Sequence, residues 1–135
     1  MKILLDTNAY SAMVRGNRAI REFVVSAKWI LLPAFVLGEL EYGFRGGSRF
    51  TENHADLLKF LSMPGVRVVQ TTPNTAWRYG ELKDSLRKAG KPIPENDVWI
   101  GAMALEHDLP VLSLDGHFET LESFGVQRLK IQFES

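Results

Sequence analysis

The sequence predicts a three-layer α/β/α fold in which helices cover both faces of a central parallel sheet of about five strands. Short apolar runs alternate along the chain with longer helical patterns, and helices between strands imply parallel pairing with right-handed crossovers. The chain has 135 residues, of which 45% are hydrophobic. One domain spanning residues 1–135 can therefore bury a substantial core.

The first half of the chain contains two predicted strands, KILL and WILLP, and four predicted helices. The helical stretch over residues 9–28 divides at RGN, where Gly16 can end one helix and Asn17 can cap the next. AFVLGELEYGFR is helical up to the double glycine at 46–47, and another helix begins near Thr51.

The second half contains three predicted strands, VRVVQ, PVLSLD and VQRLKIQF. A long helix over residues 72–90 ends at Gly90, and the rigid loop KPIP follows it. ENDVWIGAMALEHD is then a further helix with a nearly all-apolar middle. Internal repeats, low-complexity tracts and flexible linkers are not evident.

The composition limits which catalytic and metal-binding groups the chain can use and where in the cell we expect it. The absence of cysteine excludes a disulfide framework, a thiolate metal site and a cysteine nucleophile. Asp6 cuts the first apolar run, and no later run approaches the ~20 residues of a membrane span, so we expect a cytoplasmic protein without a membrane segment. Sixteen basic residues balance sixteen acidic ones, so a polyanion would have to be bound by local patches.

Four acidic residues lie where this fold can bring them together. Asp6 and Asp115 each follow an apolar strand, and ligands of open parallel sheets bind at the carboxyl ends of the strands, where the strand order reverses. Glu39 lies on the apolar face of its helix, which is unusual for a carboxylate. Asp97 alone could be a helix-terminal charge and Asp115 part of an Asp-Gly turn, but together the four acids predict one crevice.

Such a crevice predicts a divalent metal ion. Two like charges at ~4 Å cost about 4 kcal/mol at an effective dielectric constant of ~20, so converging carboxylates need a cation or must take up protons. Oxygen ligands favour hard cations such as Mg²⁺ or Mn²⁺, and a metal held by acids suits phosphodiester cleavage. The three histidines, His54, His107 and His117, show no ligand spacing, and we expect His107 at a helix end and His117 in a turn.

Four motifs carry a resemblance to a known family. LLDTNAY, AFVLGELEYG, PENDVWIGAMA and VLSLDGHF occur in this order over most of the chain. They resemble the four acidic motifs of PIN-domain nucleases, especially the VapC-type toxins of bacterial toxin–antitoxin pairs. The resemblance implies a compact PIN-like α/β/α fold, Mg²⁺- or Mn²⁺-dependent ribonuclease activity, and inhibition by a small antitoxin protein.

Carried onto this sequence, the resemblance assigns the catalytic and metal-binding roles to Asp6, Glu39, Asp97 and Asp115. Asp115 would bind the metal directly or through water. Ser113 stands where the family often has threonine. Its hydroxyl would hydrogen-bond to a metal ligand without binding the metal itself. The partners implied are an RNA substrate, a cognate antitoxin and a second copy of the chain, since the toxins of this family are commonly dimers.

Two further sets of residues are candidate surfaces. Substrate phosphates could be contacted by nearby basic side chains, which are Arg45, Arg49, Lys83, Arg87, Lys88 and Lys91. The first two helices carry more apolar residues than one small sheet face needs, namely Tyr10, Met13, Val14, Phe23, Val24 and Val25. Ordinary solvated helix faces and core packing also explain most members of these sets. Trp99 replaces the smaller aliphatic residue usual after the ND motif and would reshape the crevice wall.

Three other classes of protein share part of this pattern. A phosphoacceptor receiver domain also gathers acids and Mg²⁺ at strand ends, but it normally has adjacent acids after the first strand, whereas Leu5 precedes Asp6 here. A haloacid-dehalogenase-type phosphatase needs a second aspartate two residues after the first, where this chain has Asn8. A catalytically inactive RNA- or protein-binding module on the same fold stays compatible with the sequence.

Overall fold

The structure is a computed structural model that describes residues 1–131, and within that range it contains four strands and seven helices. The strands are β1 (Lys2–Leu5), β2 (Trp29–Pro33), β3 (Val66–Val69) and β4 (Val111–Leu112). The helices are α1 (Thr7–Val14), α2 (Arg18–Ser26), α3 (Ala34–Arg45), α4 (Phe50–Leu61), α5 (Pro73–Lys88), α6 (Glu95–His107) and α7 (His117–Glu122). None of these helices is long and apolar enough to cross a membrane.

The four strands form one parallel sheet in the order β3-β2-β1-β4. The chain moves outward from β1 to β2 and β3 and then returns to the other side of β1, so the strand order reverses between β1 and β4. Helix α3 packs against α1, α4 and β2, whereas α6 packs against α5, α7 and β4. The predicted three-layer α/β fold with a parallel sheet is confirmed, with four strands instead of about five.

Strand β1 lies in the middle of the core. Ile3, Leu4 and Leu5 have no exposed surface, and Leu4 pairs with Leu31 of β2 on one side and Val111 of β4 on the other. A strand covered by helices on both faces carries a continuous apolar run instead of an alternating one, which explains the sequence KILL. The next residue is therefore delivered to the carboxyl end of the sheet, beside β4.

The turns predicted between elements are present in the structure. Asn17 caps α2, because its Oδ1 accepts a hydrogen bond from the backbone N–H of Ile20 at 3.1 Å, and Gly16 before it has a φ of +97°. Gly65, which precedes β3, has a φ of +84°, and a Cβ at this position would lie 2.6 Å from the carbonyl oxygen of Lys28. Only glycine therefore fits the entry into β3 without displacement of the backbone.

The C-terminal part of the chain differs from its prediction. Strand β4 has two residues, because the chain leaves the sheet after Leu112, and the helix α7 was not predicted. VQRLKIQF does not form a fifth strand within the described residues: it contributes a single parallel bridge between Arg128 and Val111, and residues 132–133 lie outside the described range. A two-residue strand offers a neighbour little backbone to pair with, which accounts for the missing ladder.

Candidate metal centre

Asp6 lies at the carboxyl end of β1 and also caps the first turn of α1. Its side chain is buried, with Oδ1 accepting a hydrogen bond from the backbone N–H of Ala9 at 2.8 Å and Oδ2 accepting one from the hydroxyl of Ser113. The pKa of Asp6 is raised to about 6, chiefly by burial and also by the charges of Asp115 and Glu39, and the two hydrogen bonds offset part of this rise. A nearby cation would therefore stabilise the ionised carboxylate.

Ser113 connects the first and last motifs. It follows β4, is buried, and donates its hydroxyl hydrogen to Asp6 while its oxygen accepts the backbone N–H of Asp115 at 2.9 Å. This contact exists because β1 and β4 are neighbours in the sheet. One hydroxyl thus fixes the orientation of one acid and the backbone that carries another.

Asp97 occupies the first turn of α6, and only 8% of its surface is exposed. Its pKa is raised to about 6, first by burial and then by the neighbouring Asp115, whereas His117 acts in the opposite direction. Desolvation and a second carboxylate both disfavour the charged form. The pair Asp97 and Asp115 is the like-charge arrangement that the sequence predicted at the ends of two elements.

His117 lies between these two acids. Its Nδ1 is 2.8 Å from Oδ2 of Asp97 and 2.7 Å from Oδ1 of Asp115, and one donor atom from each of the three residues lies within 4.8 Å of the others. Desolvation lowers the pKa of His117, but its contacts with Asp115 and Asp97 outweigh that effect and raise it. The expectation that the histidines stand apart from the acidic site is wrong for His117.

The other two histidines lie elsewhere. His107 ends α6, as expected, and contacts Glu106 at 3.3 Å, while His54 contacts Glu41 at 2.8 Å. His54 of α4 reaches Glu41 of α3 because these two helices pack together.

Glu39 is held next to Asp6 by Thr7, the first residue of α1. The hydroxyl of Thr7 donates to Oε1 of Glu39 at 3.1 Å, and the charge of Glu39 contributes to the raised pKa of Asp6. Glu39 is half-buried on α3, whose Leu40 is buried while Tyr42 is 82% exposed. The core-facing side of this helix runs through Val36, Leu40 and the partly buried Phe44, and Tyr42 lies outside it.

The acids have little positive charge to balance them. Within residues 1–131, none of Asp6, Glu39, Asp97 and Asp115 pairs with a lysine or arginine, and His117 is the basic side chain in contact with two of them. Oxygen donors from several elements together with one imidazole nitrogen form a donor set that suits a divalent cation of the first transition row or Mg²⁺. The chemistry of these side chains thus fits the metal ion that the motifs imply.

The predicted phosphate contacts are mostly engaged in surface ion pairs. These pairs are Arg49–Glu52, Lys83–Glu95, Arg87–Asp84 and Lys88–Asp84, and all of these side chains are more than a third exposed. Arg45 lies over the ring of Phe50, 4.5 Å from its centroid. Exposed pairs of this kind are weak, so these side chains can exchange one partner for another.

An aromatic pair stands beside Asp97. Trp99, two residues further along α6, stacks on Tyr79 of α5 with 3.9 Å between the ring centroids and 13° between the ring planes. Lys83 lies 5.5 Å from the centroid of the Tyr79 ring. The large residue at position 99 therefore packs between α5 and α6, next to the first turn that carries the acid.

Comparison with known proteins gives a consistent family. The model of the PIN domain matches residues 3–123. The ribonuclease VapC2 of Haemophilus influenzae is 30% identical over 115 residues, which cover 84% of this chain and 86% of that protein. The ribonuclease VapC5 of Mycobacterium tuberculosis is 24% identical over 119 residues, which cover 88% and 87%.

Solved structures share the architecture. A chain from the crystal structure of VapBC2 of Rickettsia felis, bound to a DNA fragment of its promoter, gives a TM-score of 0.83 at 22% identity, covering 98% of this chain and all of that one. FitAcB of Neisseria gonorrhoeae gives a TM-score of 0.77 at 25% identity, covering 95% and 96%. The alignment extends over nearly the whole chain in both cases, so the likeness concerns the entire fold.

Proposed function

Because the chain belongs to the PIN domain family, as its four motifs predicted, we propose that it is a metal-dependent endoribonuclease that hydrolyses phosphodiester bonds in RNA. The ribonuclease relatives, which align over more than four fifths of the chain, support the substrate class. The observation that carries the proposal is the convergence of Asp97, Asp115 and His117 beside the buried Asp6, without a lysine or arginine in the described range to neutralise them.

The expected cofactor is Mg²⁺, for which Mn²⁺ can substitute. Asp6, Glu39, Asp97 and Asp115 are the residues we assign to hold it, with Asp115 acting directly or through water. When bound, such an ion lowers the pKa of an attacking water and stabilises negative charge on the phosphate and the leaving oxygen. This chemistry needs no side-chain nucleophile.

The chain's own contribution is to hold the acids in fixed orientations. The backbone N–H of Ala9 and the hydroxyl of Ser113 each direct one oxygen of Asp6. Thr7 directs Glu39 in the same way. Groups that orient metal ligands in advance reduce the reorganisation needed at the moment of reaction.

We also propose that the protein is the toxin of a toxin–antitoxin pair, with a cognate antitoxin and a second copy of the chain as partners. Among solved structures of similar fold, one from Klebsiella pneumoniae is a toxin–antitoxin complex, and VapBC-5 of Mycobacterium tuberculosis is a member of the VapBC family of toxin–antitoxin systems, which supports this assignment. Val14 and Val25, two of the predicted interface residues, are 47% and 85% exposed, whereas Tyr10 is buried. A groove of about 210 Å³ between α1, α3 and α4 adjoins Val14. A cytoplasmic location and a single domain over residues 1–135 belong to the same proposal.

Cleavage of RNA by the purified protein tests the proposed function. Labelled total RNA is incubated with Mg²⁺, with Mn²⁺ or with EDTA, and the products are separated by size. We expect discrete fragments that require the metal and that disappear with Asp97→Asn. Asp84→Asn is the matched control, because Asp84 is on α5 and pairs with Lys88 and Arg87 away from the cluster.

Two outcomes would contradict the proposal. If the wild type and Asp97→Asn gave the same fragments, the cleavage would come from a contaminant or from another site. If folded wild type bound Mn²⁺ and RNA but cut neither total RNA nor structured RNA fragments, the protein would be the catalytically inactive binding module that the sequence left open.

A further inference from the structure

We propose that His117 is a direct nitrogen ligand of the divalent ion and that it biases the site towards Mn²⁺ over Mg²⁺. The inference rests on the proposed function, since it concerns the ion of the same site. The four acids alone would make an all-oxygen site, and hard oxygen ligands suit Mg²⁺ well. An imidazole among them changes the preference, because nitrogen donors suit transition metals such as Mn²⁺ better than they suit Mg²⁺.

The contacts of Nδ1 exceed what one hydrogen can satisfy. Nδ1 of His117 lies 2.8 Å from Oδ2 of Asp97 and 2.7 Å from Oδ1 of Asp115. A ring nitrogen carries at most one hydrogen, which can be directed at only one of two oxygens. The second oxygen is then left without a full hydrogen bond beside another carboxylate, whereas one cation bound by unprotonated Nδ1 and both oxygens would satisfy all three atoms.

The separations also match a metal coordination shell. Metal–ligand bonds of about 2.1 Å at right angles place neighbouring donor atoms roughly 3 Å apart. The two measured separations from Nδ1, 2.7 and 2.8 Å, are close to this edge length, and the donor atoms of the three residues all lie within 4.8 Å of one another. Little movement is therefore needed for the three side chains to bind one ion.

The backbone keeps the ring of His117 in this place. Oδ1 of Asp115 accepts the backbone N–H of His117 at 2.9 Å, which ties the acid to the first residue of α7. Phe118, the next residue, is completely buried and anchors the helix in the core. The side chain of His117 is 46% exposed, so the far side of the ring faces solvent while Nδ1 faces the acids.

Electron spin echo modulation of bound Mn²⁺ tests this ligand directly. The full-length protein is loaded with Mn²⁺ alone, and we expect the strong ¹⁴N coupling of a directly bound imidazole. His117→Asn substitutes an oxygen for Nδ1 at a similar distance from the backbone, and it should abolish the coupling. His107→Asn is the matched control and should retain it, because His107 lies at the other end of α6.

Calorimetry with each ion tests the preference. We expect His117→Asn to lower the Mn²⁺ affinity by about tenfold or more, and to leave the Mg²⁺ affinity within about threefold of the wild type. Circular dichroism and thermal unfolding establish that the variant is folded, and His117→Gln serves as a second replacement if it is not.

The outcomes separate this inference from the proposed function. If the wild type binds Mn²⁺ and Asp97→Asn does not, but no ¹⁴N coupling is seen, the site holds metal through oxygen alone and the role of His117 is refuted. If the wild type binds neither ion, the proposed metal-dependent function fails and the ligand assignment fails with it. Equal losses of Mn²⁺ and Mg²⁺ affinity in His117→Asn would refute the bias while leaving the ligand in place.

Discussion

Asp6→Asn is expected to make the metal-free protein more stable at neutral pH. Asp6 is buried, and its pKa in the folded chain is about 6, compared with an ordinary value of 3.8. Asparagine keeps the cap of α1, because its Oδ1 can still accept the N–H of Ala9, and it removes the buried charge. A residue proposed to hold metal thus costs the protein stability when no metal is bound.

The magnitude follows from the two pKa values. Each tenfold change in an acid dissociation constant corresponds to about 1.4 kcal/mol, so ionising Asp6 costs about 3 kcal/mol more in the folded chain than in the unfolded chain. Folding raises the pKa of Asp6, which sets the sign of the effect. The stability of the folded chain carries no cost from Asp6 below pH 3.8, falls as the pH rises towards 6, and stays lower above it. Weaker hydrogen bonding by the amide reduces the gain of Asp6→Asn to about 2 kcal/mol at pH 7.5.

Urea unfolding of both proteins in EDTA, at pH 4.5 and at pH 7.5, measures the effect. The advantage of Asp6→Asn in free energy of unfolding is expected to be about 2 kcal/mol smaller at pH 4.5, where the wild-type carboxyl is largely protonated in the folded state. Adding saturating Mn²⁺ at pH 7.5 should reverse the order, because only the wild type retains the complete ligand set.

Asp84→Asn is the control, because the pKa of Asp84 is shifted in the opposite direction from that of Asp6. Lys88 and Arg87 lower the pKa of Asp84, so removing its charge is expected to bring no gain in stability at pH 7.5. The reasoning would be refuted if Asp6→Asn were less stable than the wild type in EDTA at pH 7.5. It would also fail if the difference between the two proteins were the same at both pH values.

Three further changes test individual contacts. Ser113→Ala is expected to weaken Mn²⁺ binding by about tenfold or more, measured by calorimetry, because Asp6 loses a hydrogen bond that favours its charged form, whereas Ser113→Thr should bind normally. Asn17→Ala removes the cap of α2 and should lower the free energy of unfolding by about 1 kcal/mol in urea titrations. Gly65→Ala should lower it by more than about 2 kcal/mol, because a methyl group would collide with the carbonyl of Lys28; a smaller loss would mean that β3 can shift.

The sequence predicted the elements whose signals are local. Asn17 supplies a cap and Gly16 a left-handed turn, so the division between α1 and α2 could be predicted from neighbouring residues alone. The end of β4 could not, because it depends on Ser113 leaving the sheet to reach Asp6 from the opposite end of the sequence. The same departure shortens the ladder that VQRLKIQF was expected to join.

In the candidate site, too, the features set by neighbouring residues could be predicted and those set by distant contacts could not. Asp6 and Asp115 were predicted from strand ends, and the structure puts them at neighbouring strands, while their metal-binding role stays a prediction. His117 was missed because its partner Asp97 is twenty residues away and α7 is too short to give a periodic signal. The usable signal was its position two residues after Asp115, where a buried Phe118 fixes the direction of the chain.

The hydrogen bond between Ser113 and Asp6 has a consequence for the order of events during synthesis. The two residues are 107 positions apart, and the strand that brings them together, β4, is the last to leave the ribosome. A nascent chain that ends before Val111 already contains three of the acids, Asp6, Glu39 and Asp97, but lacks β4, the neighbour of β1 on that side. The site is therefore completed late, and fragments missing the last fifth of the sequence carry most of the acidic motifs without the arrangement that joins them.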